Sequence, residues 1–452
     1  MDMSEIARIE QKTFVLPGNL ATDAYLLPVS GGADSTYLAI LLHKMFPTAP
    51  FQMVFTDTGA EEPEILTTLD KLEAFLGKPI TRIQPELGLY ELIEKFGGYL
   101  PSPNARWCTR ELKLKSFQRW IQQFDGIQKW MFVGIRADEP SRIAFTLDQV
   151  ETVMPYVDLQ MCREDVFAGL QRTIGIPRFY QRRTRSGCSV CPFKRRSELV
   201  GLLQQKPIEF DRGMKYEKLS EEDRHRHDPA VPLWKDSGIA SNWLSLPLPE
   251  KDTEMSGKKA KANDLFGNRG LFVGGEFFFD GFPGGEAFVW HQRLVSYSPT
   301  LHGIKQQLDD RFRHLLATAE VFEMSPDDVR HKAKFAIWYV ELPSHVFDPA
   351  GPTGEGYTWH QGESYAQMRH VVQWMTRALQ AEHQKQEAAK TPRSMLSVQY
   401  EWAESAKVAI NAITEEVGAV VDSTWYAAKE EEPADLEEEE MLATLPCPMC
   451  HL

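Results

Sequence analysis

The stretch Tyr25–Leu42, YLLPVSGGADSTYLAILL, decides the fold. Its first four residues are apolar and end in a proline, which is typical of a buried strand. From Thr36 onward the apolar side chains recur at helical spacing, so a helix follows the strand almost directly. Between the two lies a six-residue loop with paired glycines, Ser30–Ser35. A strand, a tight loop and a helix in this order predict one βα unit of an α/β domain.

The loop Ser30–Ser35, SGGADS, has the composition of an anion-binding site. Its paired glycines let the backbone approach a ligand closely, and the N–H groups and dipole at the helix start favour a multiply charged anion. The two serine hydroxyls can donate hydrogen bonds, and Asp34 can hold a Mg²⁺ ion that bridges phosphates. The alternative is a glycine-rich turn with a Ser or Asp cap and no ligand. The full string in this position favours phosphate binding.

The chain from residue 24 to about 157 alternates short apolar runs with helical stretches. The predicted strands are Tyr25–Pro28, Phe51–Thr56, Ile80–Gln84 and Trp130–Gly134, and the predicted helices are Thr36–Lys44, Pro63–Leu76 and Leu112–Gln123. Alternation of this kind is typical of consecutive βαβ units. It predicts a parallel sheet covered by helices.

Composition and charge exclude several classes of protein. The 452 residues are 42% hydrophobic and 25% charged, which is ordinary globular usage and excludes wholesale disorder. A formal charge of -14 argues against a protein that coats nucleic acid or anionic membrane indiscriminately, so any polyanion site must be local. No stretch reaches the roughly 18 apolar residues needed to cross a bilayer, and the N-terminal residues lack a secretory pattern. We therefore predict a cytoplasmic protein with no membrane partner.

Four further blocks follow the loop along the chain. They are Phe55–Glu64 (FTDTGAEEPE), Arg106–Lys113 (RWCTRELK), Gly134–Arg142 (GIRADEPSR) and Gly187–Phe193 (GCSVCPF). Together with the S-G-G-x-D-S loop they resemble, in order, the PP-loop family of ATP pyrophosphatases, tRNA thiolation enzymes and phosphoadenosine phosphosulfate or adenylyl-sulfate reductases. The resemblance covers residues 25 to 193 and looks closest to the sulfurtransferase component of DNA phosphorothioation systems, W-C-T included.

The resemblance implies a flavodoxin-like (HUP-type) α/β fold in which ATP or an adenylyl-sulfate lies across the strand ends near the loop. The implied nucleotide-binding residues are Ser30, Gly31, Gly32, Ala33, Asp34, Ser35, Asp57, Thr58, Arg136 and Arg142, and the implied catalytic residues are Asp34, Ser35 and Arg136. Arg136 also fits independently, because it follows an apolar strand and a planar guanidinium suits phosphate oxygens. The alternative is that Arg136 and Arg142 only form salt bridges with Asp138 and Glu139.

Three cysteines form a candidate metal site, Cys188 and Cys191 of a C-x-x-C turn and the distant Cys108. The resemblance implies that they lie at the same end of the sheet and hold a [4Fe-4S] cluster, whose open iron carries an exogenous sulfide. Structural zinc and unligated thiols are the alternatives. Cluster-type adenylyl-sulfate reductases carry a Cys-Cys pair where this chain has Trp107-Cys108. Cys162 is a candidate fourth ligand, although its surroundings predict the start of an amphipathic helix and a plain core position.

A second C-x-x-C, Cys447–Cys450, follows the stretch Glu430–Glu440, in which 8 of 11 residues are acidic. We expect this acidic tail to be solvated. One interpretation of the terminal pair is a sulfur relay that accepts persulfide from a cysteine desulfurase, because an exposed thiol beside a histidine can be activated. This interpretation does not lead the others. A disordered end and half of an intermolecular zinc site are the alternatives. The pair does not match the Glu-Cys-Gly-x-His block of phosphosulfate reductases.

Positive charge concentrates around the first C-x-x-C. Residues 104 to 215 hold 20 Lys and Arg against 12 Asp and Glu, with peaks at Arg178–Arg185 and Lys194–Arg196. With Phe179 and Tyr180 interleaved, this basic rim is predicted to grip a nucleic-acid backbone and stack a base, with DNA favoured over tRNA. The alternative is attraction for a nucleotide triphosphate alone.

The sequence predicts four segments: a PP-loop domain with the cysteines at 1–250, a polar linker at 251–268, a mostly helical accessory domain at 269–428 and the acidic tail at 429–452. The predicted accessory helices are Ile304–Val321, Asp327–Trp338, Ser364–Ala389 and Val398–Val421. Its aromatic patch, Phe277–Phe279 with Phe282, is predicted to be core.

The resemblance implies an ATP-dependent sulfurtransferase. A substrate oxygen attacks the α-phosphorus of ATP, pyrophosphate leaves, and sulfide then displaces AMP, with catalysis resting on alignment and charge stabilisation. Phosphorothioation of DNA, or another phage or defence modification of nucleic acid, is the first interpretation, and tRNA thiolation is the second. The alternative enzyme is a phosphoadenosine or adenylyl-sulfate reductase. A third interpretation is a non-catalytic nucleotide-binding partner protein of a defence system.

Overall fold

The computed structural model describes residues 14–103, 105–140, 142, 147–185, 187–217, 246–249, 269–281, 287–342, 359, 363–390 and 419–430. Within this part of the chain two compact units are distinguished. The first runs to Phe193 and includes Glu320–Glu323, and the second comprises Lys194 to Ala319 and the described residues from Met324 onward. The sequence placed the end of the first domain at residue 250, so residues from Lys194 belong to a different unit than expected. The predicted linker itself lies outside the described residues.

The first unit is built on a parallel sheet of five strands in the order β3-β2-β1-β4-β5. The strands are β1 Ala24–Pro28, β2 Phe51–Thr56, β3 Thr81–Ile83, β4 Lys129–Phe132 and β5 Val150–Val153. Tyr25 pairs with Phe51 on one side and Trp130 on the other, so β1 is central. The predicted parallel α/β sheet is confirmed. Its strand order begins 3-2-1, whereas the flavodoxin order is 2-1-3-4-5.

Helices cover both faces of this sheet. They are α1 Ala33–Met45, α2 Pro63–Leu76, α3 Leu89–Lys95, α4 Lys115–Ile121, α5 Pro155–Asp158 and α6 Arg163–Gln171, with a π-helical segment at Thr109–Leu114 and a 3₁₀ turn at Arg178–Gln181. Alternate residues of β1 serve opposite faces: Tyr25 and Leu27 pack in one hydrophobic cluster, and Leu26 packs in the other with Phe117 of α4. A central strand buried on both faces explains why its sequence is a continuous apolar run.

The second unit contains helices and a four-stranded antiparallel sheet in the order β7-β6-β8-β9. The strands are β6 Arg269–Gly281, β7 Ala287–Ser298, β8 Ala333–Leu342 and β9 Ala419–Tyr426, and the helices are α7 Arg196–Gln205, α8 Pro207–Lys215, α9 Leu301–Ala317, α10 Pro326–Lys332 and α11 Tyr365–Lys390. The helical content was expected, and the sheet was not. Phe277 and Phe278 of β6 are fully buried, as expected of core residues.

The predicted helix Asp327–Trp338 is wrong in its second half. The helix α10 ends at Lys332, and β8 begins at the next residue. Almost every side chain of β8 is buried, so its sequence lacks the alternation that marks a half-exposed strand. A continuous apolar run of this length does not distinguish a helix from a strand buried on both faces. Of the predicted helix Val398–Val421, residues 398–418 lie outside the described residues, and the remainder begins β9.

Candidate functional site

The candidate site lies where the direction of strand addition reverses. Strands β2 and β3 lie on one side of β1, and β4 and β5 lie on the other, so the crevice between the carboxyl ends of β1 and β4 is the switch point of the sheet. Ligands of open parallel sheets bind at this place. The loop Ser30–Ser35 follows β1, and Gly134–Arg136 follows β4. The sheet therefore brings the first and fourth sequence blocks together.

The loop itself needs its glycines. Gly31 has a φ of +70°, and a Cβ there would lie 2.8 Å from the Ile65 side chain and 3.0 Å from its carbonyl oxygen. Gly134 lies so close to the start of α1 that a Cβ would meet the Asp34 backbone at 3.1 Å. Both positions require the absence of a side chain, because neighbouring backbone occupies the space. Gly31 of the loop and Gly134 after β4 thus each have a packing reason to be glycine.

Three N–H groups of the loop are held by hydroxyl oxygens. Ser30 N donates to Ser35 Oγ at 3.0 Å, Gly32 N to Ser30 Oγ at 3.4 Å, and Ala33 N to the hydroxyl of Tyr180 at 2.9 Å. The sequence predicted these amides as phosphate donors. In the structure neutral oxygen atoms accept from them, which is the same hydrogen-bonding role that phosphate oxygens would fill.

Asp34 and Arg136 meet in the crevice. Arg136 Nη1 donates to Asp34 Oδ1 at 2.9 Å, and the same guanidinium contacts Asp138 at 2.9 Å and Glu139 at 3.3 Å. Burial raises the pKa of Asp34, and the neighbouring Arg136 charge opposes that rise. The hydroxyl of Tyr156 donates to the Asp34 carbonyl at 2.9 Å and fixes the start of the helix. Two of the three predicted catalytic residues, Asp34 and Arg136, are therefore in direct contact with each other.

Arg142, also predicted to bind the nucleotide, is almost fully buried and donates to both carboxylate oxygens of Glu139, at 2.9 and 3.0 Å. The sequence analysis gives salt bridges as the alternative role of these two arginines. Both Arg136 and Arg142 form such ion pairs in the structure. The Glu139 carboxylate contacts both guanidinium groups, so Arg142 is linked to Arg136 through it. Arg142 supports Arg136 through the shared carboxylate.

The second block, after β2, forms a compact hydrogen-bonded turn. Asp57 Oδ1 accepts from Gly59 N at 2.9 Å, and Asp57 Oδ2 accepts from the Gln84 side chain at 3.2 Å. Thr58 is buried, and both its N–H and its hydroxyl donate to Glu61, at 3.0 and 2.7 Å. Burial raises the pKa of the Glu61 carboxyl. Asp57 thus lies at the strand end as expected, while Thr58 organises the turn.

The C-x-x-C turn docks onto this second block. Cys188 pairs with Glu61 in a short antiparallel bridge, and Ser189 N donates to the Ala60 carbonyl at 2.7 Å. The Sγ atom of Cys188 lies 3.5 Å from the Thr58 hydroxyl. Burial, with the Glu61 carboxylate nearby, raises the pKa of the Cys188 thiol to about 12. The first C-x-x-C is therefore at the same sheet edge as the nucleotide loop.

Cys108 lies in the third block, whose neighbours contact the same region. The guanidinium of Arg106 lies over the Phe193 ring at 4.8 Å. Lys113, five residues after Cys108, lies close enough to Cys188 to lower its thiol pKa against the effect of burial. Positions five apart in a π-helical segment lie about one turn apart, so Cys108 and Lys113 are near one face. The two blocks that carry the three cysteines are adjacent.

The thiols have the donor chemistry of an iron-sulfur site, and no disulfide joins the cysteines among the described residues. Within that part of the chain, no three Cys, His, Asp or Glu side chains are grouped as they would be around a metal ion. Cys162 caps α6, where its Sγ contacts Asp165 Oδ2 at 3.1 Å and burial raises its pKa to about 12. The predicted helix start is confirmed there. Cys447 and Cys450 lie outside the described residues.

The predicted basic rim is mostly interior. Arg182 and Arg183 are buried, and both form ion pairs with the Glu62 carboxylate. Arg183 Nη1 lies 2.6 Å from Glu62 Oε1. Phe179 and Tyr180 are also buried in the hydrophobic core, so the expectation that they stack a base is wrong. The sequence of this short basic segment gave no sign that two adjacent pairs of its residues are buried. Arg178 remains exposed in this segment.

Sequence reasoning missed several residues that shape the site. Tyr180 holds the loop amide of Ala33, Tyr156 holds the Asp34 carbonyl, and Glu61 organises the turn against which Cys188 docks. Glu61 carried a usable signal, because it lies within the quoted block beside Asp57. The two tyrosines carried none, since they lie more than 120 residues after the loop that they contact.

Known proteins resemble parts of this chain. Residues 24–151 match the family model of the phosphoadenosine phosphosulfate reductase domain. An uncharacterized 37.8 kDa protein of Escherichia phage 186 is 28% identical over 254 residues, which cover 43% of this chain and 74% of that protein. An uncharacterized protein of Methanocaldococcus jannaschii is 32% identical over 114 residues, which cover 25% of this chain and 23% of that protein.

A crystal structure of phosphoadenylyl-sulfate reductase from Candida auris, in a phosphate complex, aligns with 37% of this chain and 77% of its own, at 18% identity and a TM-score of 0.28. Among the described helices, none has the length and apolar character that crossing a membrane requires. The family match spans β1 to β5 with the S-G-G-x-D-S loop, the D-T-G turn and Arg136. Residues 24–151 are therefore similar to the phosphoadenosine phosphosulfate reductase domain family.

Proposed function

We propose that this protein is an ATP-dependent sulfurtransferase that modifies nucleic acid. The observation that carries the proposal is the shared sheet edge: the phosphate loop with Asp34 and Arg136, and the C-x-x-C turn on Glu61, both lie at the carboxyl ends of β1, β2 and β4. An enzyme that activates a substrate with ATP and then adds sulfur needs these two functions next to each other.

The loop and Arg136 supply the activation step. A substrate oxygen attacks the α-phosphorus of ATP, the bond from that phosphorus to the bridging oxygen of pyrophosphate breaks, and the adenylated substrate and pyrophosphate form. The loop amides bind the phosphate oxygens, whose charge exceeds that of the neutral hydroxyls that hold the amides now. The Arg136 guanidinium binds phosphate oxygens in exchange for one of its carboxylate partners. Asp34 offers one carboxylate to Mg²⁺, which takes its remaining ligands from phosphates and water. Tyr156 keeps Asp34 in place through its carbonyl.

The cysteines supply the sulfur step. Sulfide attacks the activated substrate phosphorus, the bond to AMP breaks, and AMP leaves with the electron pair. A [4Fe-4S] cluster held by Cys108, Cys188 and Cys191 would provide this sulfide when it is bound. Cys188 and Cys191 share one turn, and Arg106 and Lys113 link the Cys108 block to it. These contacts bring the two cysteine blocks together, but among the described residues the three thiols are not gathered around a common centre, so binding of the cluster would have to draw them closer.

The proposed sulfur acceptor is a nucleic acid, with DNA preferred. Because Arg182 and Arg183 are occupied by Glu62, backbone contacts would depend on Arg178 and Arg185 at either end of the segment. Proposed protein partners are a cysteine desulfurase and other components of a modification system. The whole chain, including its second unit and terminal C-x-x-C, is the protein to be tested.

Pyrophosphate release tests the activation step. We expect Asp34→Asn to reduce pyrophosphate release from ATP by about a hundredfold, in the range measured for loss of one charge-stabilising group. The matched control is Asp125→Asn, an exposed aspartate before β4 and so at the opposite sheet edge, which should keep full activity. Equal activity of Asp34→Asn and the control would exclude Asp34 from the reaction.

Iron and acid-labile sulfide content tests the sulfur step. Protein purified anaerobically should contain both and have the brown colour of an iron-sulfur cluster. Cys188→Ser should lose the iron, the sulfide and the colour. Cys162→Ser should keep them, because its thiol is engaged by Asp165 at the start of α6. Retained iron in Cys188→Ser would remove that cysteine from the ligand set.

The second candidate is a phosphoadenosine or adenylyl-sulfate reductase, which the family match of residues 24–151 favours. A reductase releases sulfite from the sulfonucleotide and needs a thiol reductant, whereas the sulfurtransferase releases pyrophosphate from ATP. Both products are measured on the same preparation. Sulfite without pyrophosphate would select the reductase.

A further inference from the structure

One of the three hydroxyls on the phosphate loop comes from far along the chain. Ser35 and Ser30 hold loop amides from within the loop, but Tyr180, which accepts from Ala33 N at 2.9 Å, lies in the segment that leads to the C-x-x-C turn. Tyr180 is 3% exposed, and its ring packs against Phe167 and Phe179 in the core. A single short segment therefore contacts both the nucleotide loop and the thiols.

Between Tyr180 and Cys188 this segment is fixed by further contacts. Arg182 and Arg183 bind the buried Glu62 carboxylate, and Arg183 Nη2 also donates to the Gly187 carbonyl at 3.0 Å. Gly187 directly precedes Cys188. Arg183 thus links the Tyr180 end of this segment to the residue beside the Cys188 thiol.

A bound phosphate competes with Tyr180 for the same donor. The Ala33 N–H is at the first position of α1, where the helix dipole favours an anion. A charged phosphate oxygen accepts a stronger hydrogen bond than a neutral phenol oxygen does. Occupation of the loop by a nucleotide therefore displaces the Tyr180 hydroxyl from Ala33.

We propose that Tyr180 is a positioning residue that couples nucleotide occupancy of the loop Ser30–Ser35 to the accessibility of Cys188 and Cys191. The inference rests on the proposed binding of a nucleotide at this loop, and it adds regulation of the sulfur step by that nucleotide. The thiols become available only when the loop is filled. Sulfide is then not spent on an unactivated substrate.

The test is cysteine alkylation of the full chain by iodoacetamide, with ATP and Mg²⁺ present or absent and each cysteine followed by peptide mass spectrometry. ATP should raise the alkylation rate of Cys188 or Cys191 in the wild type by about three- to tenfold, the size expected for one exchanged hydrogen bond. In Tyr180→Phe the rate should be the same with and without ATP. The affinity for ATP, measured by calorimetry, should stay within about tenfold of the wild type.

Tyr156→Phe is the matched control. It removes a phenol hydroxyl from the same helix start, at Asp34, but Tyr156 lies on α5 and not on the cysteine segment. Its alkylation response to ATP should be retained. A second variant, Ala33→Pro, removes the donor instead of the acceptor, at a helix position where proline is favoured and the preceding Gly32 is extended. Measured at an ATP concentration that calorimetry shows to saturate this variant, it should have no alkylation response, and its Tyr180 ring is unaltered.

The outcomes separate this inference from the proposed function. An ATP response that persists in Tyr180→Phe or in Ala33→Pro overturns the coupling, as does ATP binding to the wild type without a rise in alkylation. An ATP response without pyrophosphate release supports the coupling and contradicts the sulfurtransferase proposal. Absence of binding by both ATP and phosphoadenylyl sulfate, each titrated separately, overturns both.

Discussion

Two arginine–carboxylate clusters lie in the first unit, and they are built differently. At the sheet edge one arginine, Arg136, is shared by Asp34, Asp138 and Glu139, and its side chain keeps 13% of its surface exposed. In the second cluster one carboxylate, Glu62, is shared by Arg182 and Arg183, and none of the Glu62 side-chain surface is exposed. An arginine with several partners and some access to solvent can exchange a carboxylate for a phosphate. A sealed carboxylate with two arginines fixes the segment that carries Tyr180 and Cys188.

Glu62→Gln should have the largest effect on stability. It removes the negative charge from between two buried guanidinium groups, and breaking a buried pair in this way costs about 3–5 kcal/mol. Burial already lowers the pKa of Arg182, and Glu62 is its main opposing influence. Urea unfolding followed by circular dichroism measures the loss.

The control for that variant is Glu64→Gln. Glu64 lies 3.6 Å from Arg182 with a side chain that is 31% exposed, so its ion pair is screened by water. The expected loss in the free energy of unfolding is below about 1 kcal/mol. Equal losses in the two variants would show that the sealed cluster is not the element that holds this segment.

Arg136→Gln should have the largest effect on nucleotide binding. We expect the affinity for ATP to fall by about ten- to a hundredfold, because a charged hydrogen bond to phosphate contributes about 1.5–3 kcal/mol. The loss of stability should be smaller than for Glu62→Gln, since Asp34 keeps some access to solvent. Arg119→Gln is the control: Arg119 is half exposed and pairs with the exposed Glu86. If both variants bind ATP normally, the Arg136 cluster is structural like that of Glu62.

The sequence predicted the residues of the Arg136 cluster better than those of the Glu62 cluster. The Ser30–Ser35 loop and Arg136 were predictable, because each follows a strand and local pattern and position agree there. Glu62, Arg182 and Arg183 were not, since their pairing joins residues about 120 positions apart and no local pattern encodes it. The sequence pattern instead predicts Arg182 and Arg183 as part of a nucleic-acid surface. Charge counted along a sequence does not reveal which charges are neutralised inside the fold.

The second unit shows a related limit. Its helices α9 and α11 were predicted nearly in full, because amphipathic spacing over 17 and 26 residues is a strong signal. Its antiparallel sheet was missed. Strand β6 is rich in glycine and phenylalanine, and its neighbour β8 contains aromatic residues. Gly275 of β6 has no room for a Cβ because the Trp338 ring of β8 would lie 2.6 Å away. A close approach between strands favours glycine for a reason that is visible only in three dimensions.

The smallest expected effect tests whether the Arg136 cluster truly exchanges partners, and it has the opposite sign. Asp138 is 40% exposed and accepts from Arg136 Nε at 2.9 Å, so it competes with a phosphate for the guanidinium. Asp138→Asn removes that competitor and one negative charge, and ATP binding should tighten by about two- to fivefold, as expected for an exposed ion pair. The gain should disappear in 1 M salt, because exposed charges are then screened over about 3 Å. Glu64→Gln removes an equal charge beside the sealed cluster and should leave ATP affinity unchanged. Weaker binding by Asp138→Asn would mean that Asp138 orients Arg136 for the ligand instead of competing with it, and the distinction between an exchangeable and a fixed cluster would then rest on solvent access alone.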